Sequence, residues 1–145
     1  MKSLMTIVLA LAVGSALVAE QKIQIKDLPA AVQKEVQQEE AKGAIVKNII
    51  AEKDGGKIVY EVETTVGGRT RDLVFDAAGR LMVSEEEVSI DAVPAAVKAS
   101  LQAAGNVIKI ETVTKGGKVT YEAQVEKNGK KSEVAVDAAG KRVKA

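Results

Sequence analysis

Two stretches of the chain carry an apolar residue at every fourth position. In one these are Leu28, Val32 and Val36; in the other Val93, Val97 and Leu101. That spacing makes one apolar stripe along an α-helix. Lys34, Glu35, Gln37, Gln38 and Glu39 form the wet side of the first helix. Pro29 and Pro94 suit the first helical position, where a missing N–H costs nothing, which puts Leu28 and Val93 at the N-cap. The helices should end near Lys42-Gly43 and Ala104-Gly105, because glycine suits the residue just past a helix.

After each helix the apolar period shortens to two. Ala44 to Lys53 is rich in Ile and Val. From Lys57 to Val66, Ile58, Tyr60, Val62 and Thr64 share one face, and Val59, Glu61 and Glu63 the other. Such alternation describes strands of an antiparallel sheet with one covered face. Gly55-Gly56, Gly67-Gly68, Gly116-Gly117 and Asn128-Gly129 are two-residue hairpin signals. Asp76-Ala77-Ala78-Gly79 and Asp137-Ala138-Ala139-Gly140 fit turns closed by a glycine at positive φ. The expected strands are 44–53, 57–66, 69–75 and 80–84, then 106–114, 118–127, 130–136 and 141–144. Glu85-Glu86-Glu87 reads as a solvated connector between the two sets.

The two sets are one unit written twice. Gly55-Gly56-Lys57-Ile58-Val59-Tyr60-Glu61 returns as Gly116-Gly117-Lys118-Val119-Thr120-Tyr121-Glu122, and Pro29-Ala30-Ala31-Val32 as Pro94-Ala95-Ala96-Val97. The fold class is therefore α+β: two tandem α-β-β-β-β repeats, residues 20–87 and 88–145. Each is a four-stranded antiparallel sheet with a helix on one face, and the two sheets can join into one of eight strands. Tyr60 and Tyr121 recur on the helix-facing side and belong to the core.

Lys2, the apolar run Leu4 to Leu17, and the small residues Ala16 and Ala19 compose a secretory signal peptide over residues 1–19. The apolar run is short for a membrane span, which needs about 20 residues. A periplasmic or secreted protein without a stable membrane anchor after signal removal is expected. The remainder is formally neutral, which disfavours nucleic acid as a partner. Its first repeat carries net −4 and its second net +4.

The composition excludes most catalytic chemistry. The chain has no His and no Cys, so nucleophile–histidine pairs are impossible. Zinc and copper lose their best ligands. A Ser–Lys dyad remains formally open, but Ser84, Ser89, Ser100 and Ser132 sit in no nucleophile motif. No calcium-loop pattern surrounds Glu85 to Glu87, Asp54 or Asp76. The Gly-Gly pairs link strands rather than open helices, so they do not cradle phosphate. No cofactor, metal or catalytic residue is expected.

What remains is the polar sheet face: Glu61, Glu63, Thr70, Asp72, Thr120, Glu122, Gln124, Lys131 and Glu133. It is the candidate surface for an unknown protein partner, since a broad face suits a protein better than a small ligand. A self-assembling envelope protein, drawing on the opposite charges of the halves, is the alternative. A hydrolase using these carboxylates ranks below both.

Asp27-Leu28-Pro29-Ala30-Ala31-Val32, the Gly-Gly-Lys turns leading into Tyr-Glu-Val or Tyr-Glu-Ala, and the Asp-Ala-Ala-Gly turns together resemble the PepSY-like family, which is similar to the β-lactamase inhibitory protein fold. The resemblance covers essentially the whole chain after residue 19. It implies a secreted or periplasmic bacterial protein with two repeats and helices on one face of a sheet. In the inhibitor, the exposed sheet and its loops grip a protein target. The wider group is associated with protease propeptides and with inhibitory or chaperoning roles.

Overall fold

A computed structural model describes residues 21–144. The expected signal peptide therefore lies outside the described residues. Nine strands form one antiparallel sheet, each paired with its sequence neighbours. They are β1 (Gln21–Lys22), β2 (Ile45–Asp54), β3 (Lys57–Val66), β4 (Arg69–Asp76), β5 (Leu81–Val88), β6 (Asn106–Lys115), β7 (Lys118–Lys127), β8 (Lys130–Asp137) and β9 (Arg142–Val143). Helices α1 (Ala30–Ala41) and α2 (Ala95–Ala104) precede β2 and β6.

The turns follow the sequence. Gly55-Gly56, Gly67-Gly68, Gly116-Gly117 and Asn128-Gly129 all hold positive φ at both positions. That is the hairpin geometry whose twist matches the strands it joins. Asp76 Oδ1 accepts the N–H groups of Ala78 and Arg80, and Asp137 Oδ1 those of Ala139 and Lys141.

Both helices cover the same face of the sheet. Leu28, Val32 and Val36 close a core with Ile49, Val62, Leu73 and Phe75, and Tyr60 packs at its margin. Val93, Val97 and Leu101 close a second with Ile110, Ala123, Val125, Val134 and Val136, with Tyr121 at the margin. Arg71 ties the first helix to the sheet. Its Nη1 pairs with Glu39 of α1 and its Nε lies 2.6 Å from Glu86 Oε1 of β5.

Three expectations change. Pro29 and Pro94 occupy the N-cap, each with ψ near +145°, and the helices start one residue later. Leu28 and Val93 are thereby free to point into the core. A ninth strand exists because Gln21–Lys22 pairs with Ile50 and Ala51 of β2. The largest change concerns Glu85-Glu86-Glu87, which is not a solvated connector. It continues β5 to Val88, pairing with β4 on one side and with β6 from Val83↔Lys115 to Val88↔Ile110 on the other. The three glutamates fit a strand because they alternate: Glu86 meets Arg71 beneath the helices, while Glu85 and Glu87 point to the opposite face. The repeats thus share one sheet, and residue 87 lies one short of the end of β5.

Candidate functional site: an acidic open sheet face

Strand register assigns each side chain to a face, since neighbours along a strand alternate. All nine residues singled out in the sequence share the face opposite the helices. Glu63 pairs with Asp72, Thr70 with Thr65, Glu122 with Glu111, Thr120 with Val113, and Gln124 with Glu133. Glu61 sits two residues from Glu63, and Lys131 two from Glu133. Lys131 and Glu133 are exposed, Glu61 is buried, and the other six are half-buried.

Three carboxylates missed in the sequence complete this face. Asp72 pairs with Glu85, which extends Glu63–Asp72 into a row of three. Glu87 pairs with Glu111 and Glu111 with Glu122, forming a second such row beside the first. Directly opposed side chains on neighbouring strands stand about 5 Å apart at Cβ. Six carboxyl groups therefore form a two-row ladder across β3 to β7. Reading Glu85 to Glu87 as a connector hides two of the three, whereas Glu111 falls in the expected strand 106–114. Continuing the period of two through Val83, Glu85 and Glu87, and through Lys109, Glu111 and Val113, would have found all three.

The ladder is not a freely solvated surface. Its Glu85 and Glu111 are 8% and 3% exposed, and Glu61 beside it 9%. Its donors are few. Thr70 gives its N–H and its hydroxyl to Glu87 Oε2, each at 3.2 Å, and the Thr64 N–H reaches Asp72 Oδ1 at 3.3 Å. Lys109 Nζ lies 2.5 Å from Glu111 Oε1. Glu111 Oε2 is buried, and no hydrogen-bond donor among the described residues reaches it.

Crowded, desolvated carboxylates hold their protons. Burial, reinforced by Glu111, Glu122, Asp72 and Glu61, pushes Glu85 up to about 8. Burial and Glu63 push Asp72 up to about 6, against the opposing Thr64 hydrogen bond. Burial, Glu111 and Glu133 raise Glu122. The ladder therefore carries less negative charge at neutral pH than its composition suggests.

Beside the ladder the same face turns apolar. Val59, Val74 and Val83, with Leu81 and Met82, line a cavity of about 470 Å³ toward the Gly55-Gly56 and Gly116-Gly117 turns, and Glu85 borders it. Leu81 and Met82 are 47% and 43% exposed.

This arrangement constrains the chemistry. Glycosidase carboxyl groups flank a scissile bond from two sides, whereas these stand side by side on adjacent strands and point the same way. Among the described residues, no group of three or more carboxylates converges to hold a metal ion. No helix among them is long and apolar enough to cross a membrane.

Known proteins share this architecture. The model of a family described as "Putative beta-lactamase-inhibitor-like, PepSY-like" matches residues 17–83 and again residues 58–144. A BLIP-like protein from Bacteroides fragilis superposes with a TM-score of 0.59 at 21% identity, covering 81% of this chain and 84% of that one. A DUF2874 family protein from Bacteroides ovatus superposes with a TM-score of 0.61 at 18% identity, covering 81% and 85%. A protein from Bacteroides eggerthii described as a "putative periplasmic" one gives 0.64 at 18% identity, covering 81% and 86%. At such identities the likeness is one of fold. No curated protein matches the chain.

Proposed function

The chain belongs to the PepSY-like, β-lactamase-inhibitor-like family, and from that premise we propose that it is a non-enzymatic binding protein of the periplasm or exterior that grips a protein partner with its open sheet face. One observation carries this reading: the two repeats merge into a single nine-stranded sheet whose helices all lie on one side. The other side is a continuous platform spanning both repeats, of the breadth that a protein interface needs. The periplasmic setting is supported by the signal-like first 19 residues and by the description of the Bacteroides eggerthii relative. The absence of His and Cys, and carboxylates that stand in line, support a role without catalysis.

The test is capture from bacterial envelope extract, followed by reconstitution of the complex from purified proteins. The expected result is one partner whose binding is lost in the charge-reversed variant Glu122→Lys/Glu133→Lys and kept when the helix-side Lys34→Glu is introduced. Equal binding by both variants would place the interface elsewhere and overturn the reading.

A further inference from the structure

Two features of the open face lack an internal explanation. One is Glu111 Oε2, a buried acceptor that no donor among the described residues reaches, on a side chain that is 4% exposed. A buried unpaired acceptor costs about 1–3 kcal/mol, so native structures seldom leave one without a role. The other is the apolar cavity bordering Glu85, flanked by exposed Leu81 and Met82. They adjoin, because Glu85 belongs both to the ladder and to the cavity wall.

The charges around them have one dominant sign. Glu61 and Glu63 come from β3, Asp72 from β4, Glu85 and Glu87 from β5, Glu111 from β6, Glu122 from β7 and Glu133 from β8. On the basic side stand Lys22 of β1, Lys57 of β3, Lys109 and Lys115 of β6, Lys118 of β7 and Lys131 of β8, with Arg80 on the cavity wall, and Lys109 is already paired with Glu111 Oε1. Such a surface attracts cations and repels anionic membranes and nucleic acids. It does not gather its oxygens tightly enough for a metal ion. An ammonium or guanidinium group demands less convergence and brings several donors.

Building on the binding role proposed above, we propose that the partner presents an extended basic segment to this face. A lysine or arginine enters the ladder and donates to Glu111 Oε2, while an aliphatic side chain two residues along, on the same side of the extended segment, fills the cavity between Val59, Val74 and Val83. The ladder supplies charge and the cavity supplies apolar burial. Together they select a segment in which basic and aliphatic residues lie close, rather than one that is merely basic. Because Glu85 and Asp72 hold protons more tightly than ordinary carboxyls, the arriving cation expels protons from the ladder.

The probes are three capped hexapeptides that carry the named residues two apart, on one side of an extended chain: Lys-Ser-Leu-Ser-Lys-Ser (the Lys-Leu peptide), Lys-Ser-Ser-Ser-Lys-Ser (Lys-Ser) and Glu-Ser-Leu-Ser-Glu-Ser (Glu-Leu). Titration calorimetry at pH 7 is run in phosphate and in Tris. The Lys-Leu peptide should bind, the Lys-Ser peptide about tenfold more weakly, and the Glu-Leu peptide not measurably. The apparent enthalpy should differ between buffers by an amount that reports proton release. Glu111→Gln should weaken Lys-Leu binding about tenfold, and Glu40→Gln, at an exposed position of α1 on the other side of the sheet, less than about twofold. Glu87→Gln, on the same row, should weaken it too, and serves where Glu111→Gln lowers stability. Circular dichroism and melting confirm that each variant is folded. Equal binding of the Glu-Leu peptide, or indifference to both Glu111→Gln and Glu87→Gln, would overturn the inference. If the peptides fail while a captured partner still depends on Glu122 and Glu133, basic recognition falls and the binding role stands.

Discussion

Gly140 and Ala96 touch so closely that a Cβ on the glycine would stand 2.4 Å from the alanine's carbonyl oxygen. The same meeting recurs in the first repeat, where a Cβ on Gly79 would stand 2.9 Å from the Ala31 oxygen. The two most faithfully repeated motifs, Pro-Ala-Ala-Val and Asp-Ala-Ala-Gly, are therefore the two sides of one contact. The turn after the third long strand of each repeat seats the first turn of that repeat's helix. Both glycines also hold left-handed φ, +81° and +77°.

Gly140→Ala and Gly79→Ala should each destabilise the protein, combining backbone strain with a collision that backbone atoms cannot easily relieve. A loss of about 3 kcal/mol and roughly 10 °C in Tm is expected. Gly67→Asn provides the contrast. Its φ is +57° and nothing lies within 4 Å of an added Cβ. The equivalent position in the second repeat is already Asn128, at φ +53°. That substitution should change stability by less than about 1 kcal/mol. Thermal melts of the three variants decide the matter, and a Gly140→Ala protein as stable as the parent would refute the contact's role.

The carboxylate ladder makes stability depend on pH in an unusual direction. Glu85 and Asp72 bind protons more tightly folded than unfolded. Wherever the folded state holds more protons, stability falls as pH rises. For Glu85 that window runs from its ordinary value near 4.5 up to about 8, and for Asp72 from 3.8 to about 6. The stabilisation is complete below the lower value of each range and lost above the upper. The protein should thus be about 2 kcal/mol more stable at pH 5.5 than at pH 8.5, a figure already reduced for residual solvent access. Glu85→Gln removes the largest contributor, so it should flatten the profile and raise stability at pH 8.5. Urea titrations across this range measure it, and a parent profile that rises with pH would contradict the burial argument.

On the helix side, Arg71 joins Glu39 of α1 to Glu86 of β5. Its side chain is 26% exposed and Glu39 only 13%, so Arg71→Met leaves Glu39 with Lys42 alone. A loss of about 1–2 kcal/mol is expected, between the values for surface and buried pairs. Glu86 is half exposed and keeps its hydration. Glu86→Gln should therefore cost less than about 0.5 kcal/mol. Chemical denaturation of both variants tests the ranking, and reversal of the order would refute it.

These features were unequally legible in the sequence. Helices and turns depend on a few adjacent residues, and Leu28/Val32/Val36, Asn128-Gly129 and Asp137 to Gly140 announce them directly. Pairing across the seam was not announced. Glu85 to Glu87 join β6 residues more than 20 positions away, and glutamate is a poor strand former on its own. The burial of Glu111 was hidden for the same reason. It lies between Ile110 and Thr112 in an evident strand, but what covers it comes from β4, β5 and β7. Side-chain alternation could place the nine face residues on one face, and it could not tell that six of the face's carboxyls would crowd into two rows.

The seam makes a final prediction about folding. Each repeat has its own hydrophobic core, and the cores alone would give two independent transitions. The strands argue otherwise. β5 and β6 pair continuously from Val83↔Lys115 to Val88↔Ile110, and β5 belongs by sequence to the first repeat and β6 to the second. Unfolding either repeat alone would strip one side of that ladder and expose an edge lined with half-desolvated backbone groups. The two cores should therefore unfold as one cooperative unit. Nature supplies the reporters, since Tyr60 packs on the first core and Tyr121 on the second. The variants Tyr60→Phe and Tyr121→Phe each leave a single tyrosine, and their fluorescence should report coincident urea midpoints once the stability of each variant is matched by circular dichroism. Leu73→Ala in the first core, at 1% exposure, should cost about 2–4 kcal/mol and lower the midpoint sensed by Tyr121 as much as that sensed by Tyr60. If Tyr121 reported an unchanged midpoint in that variant, the repeats would be separate folding units that merely share hydrogen bonds.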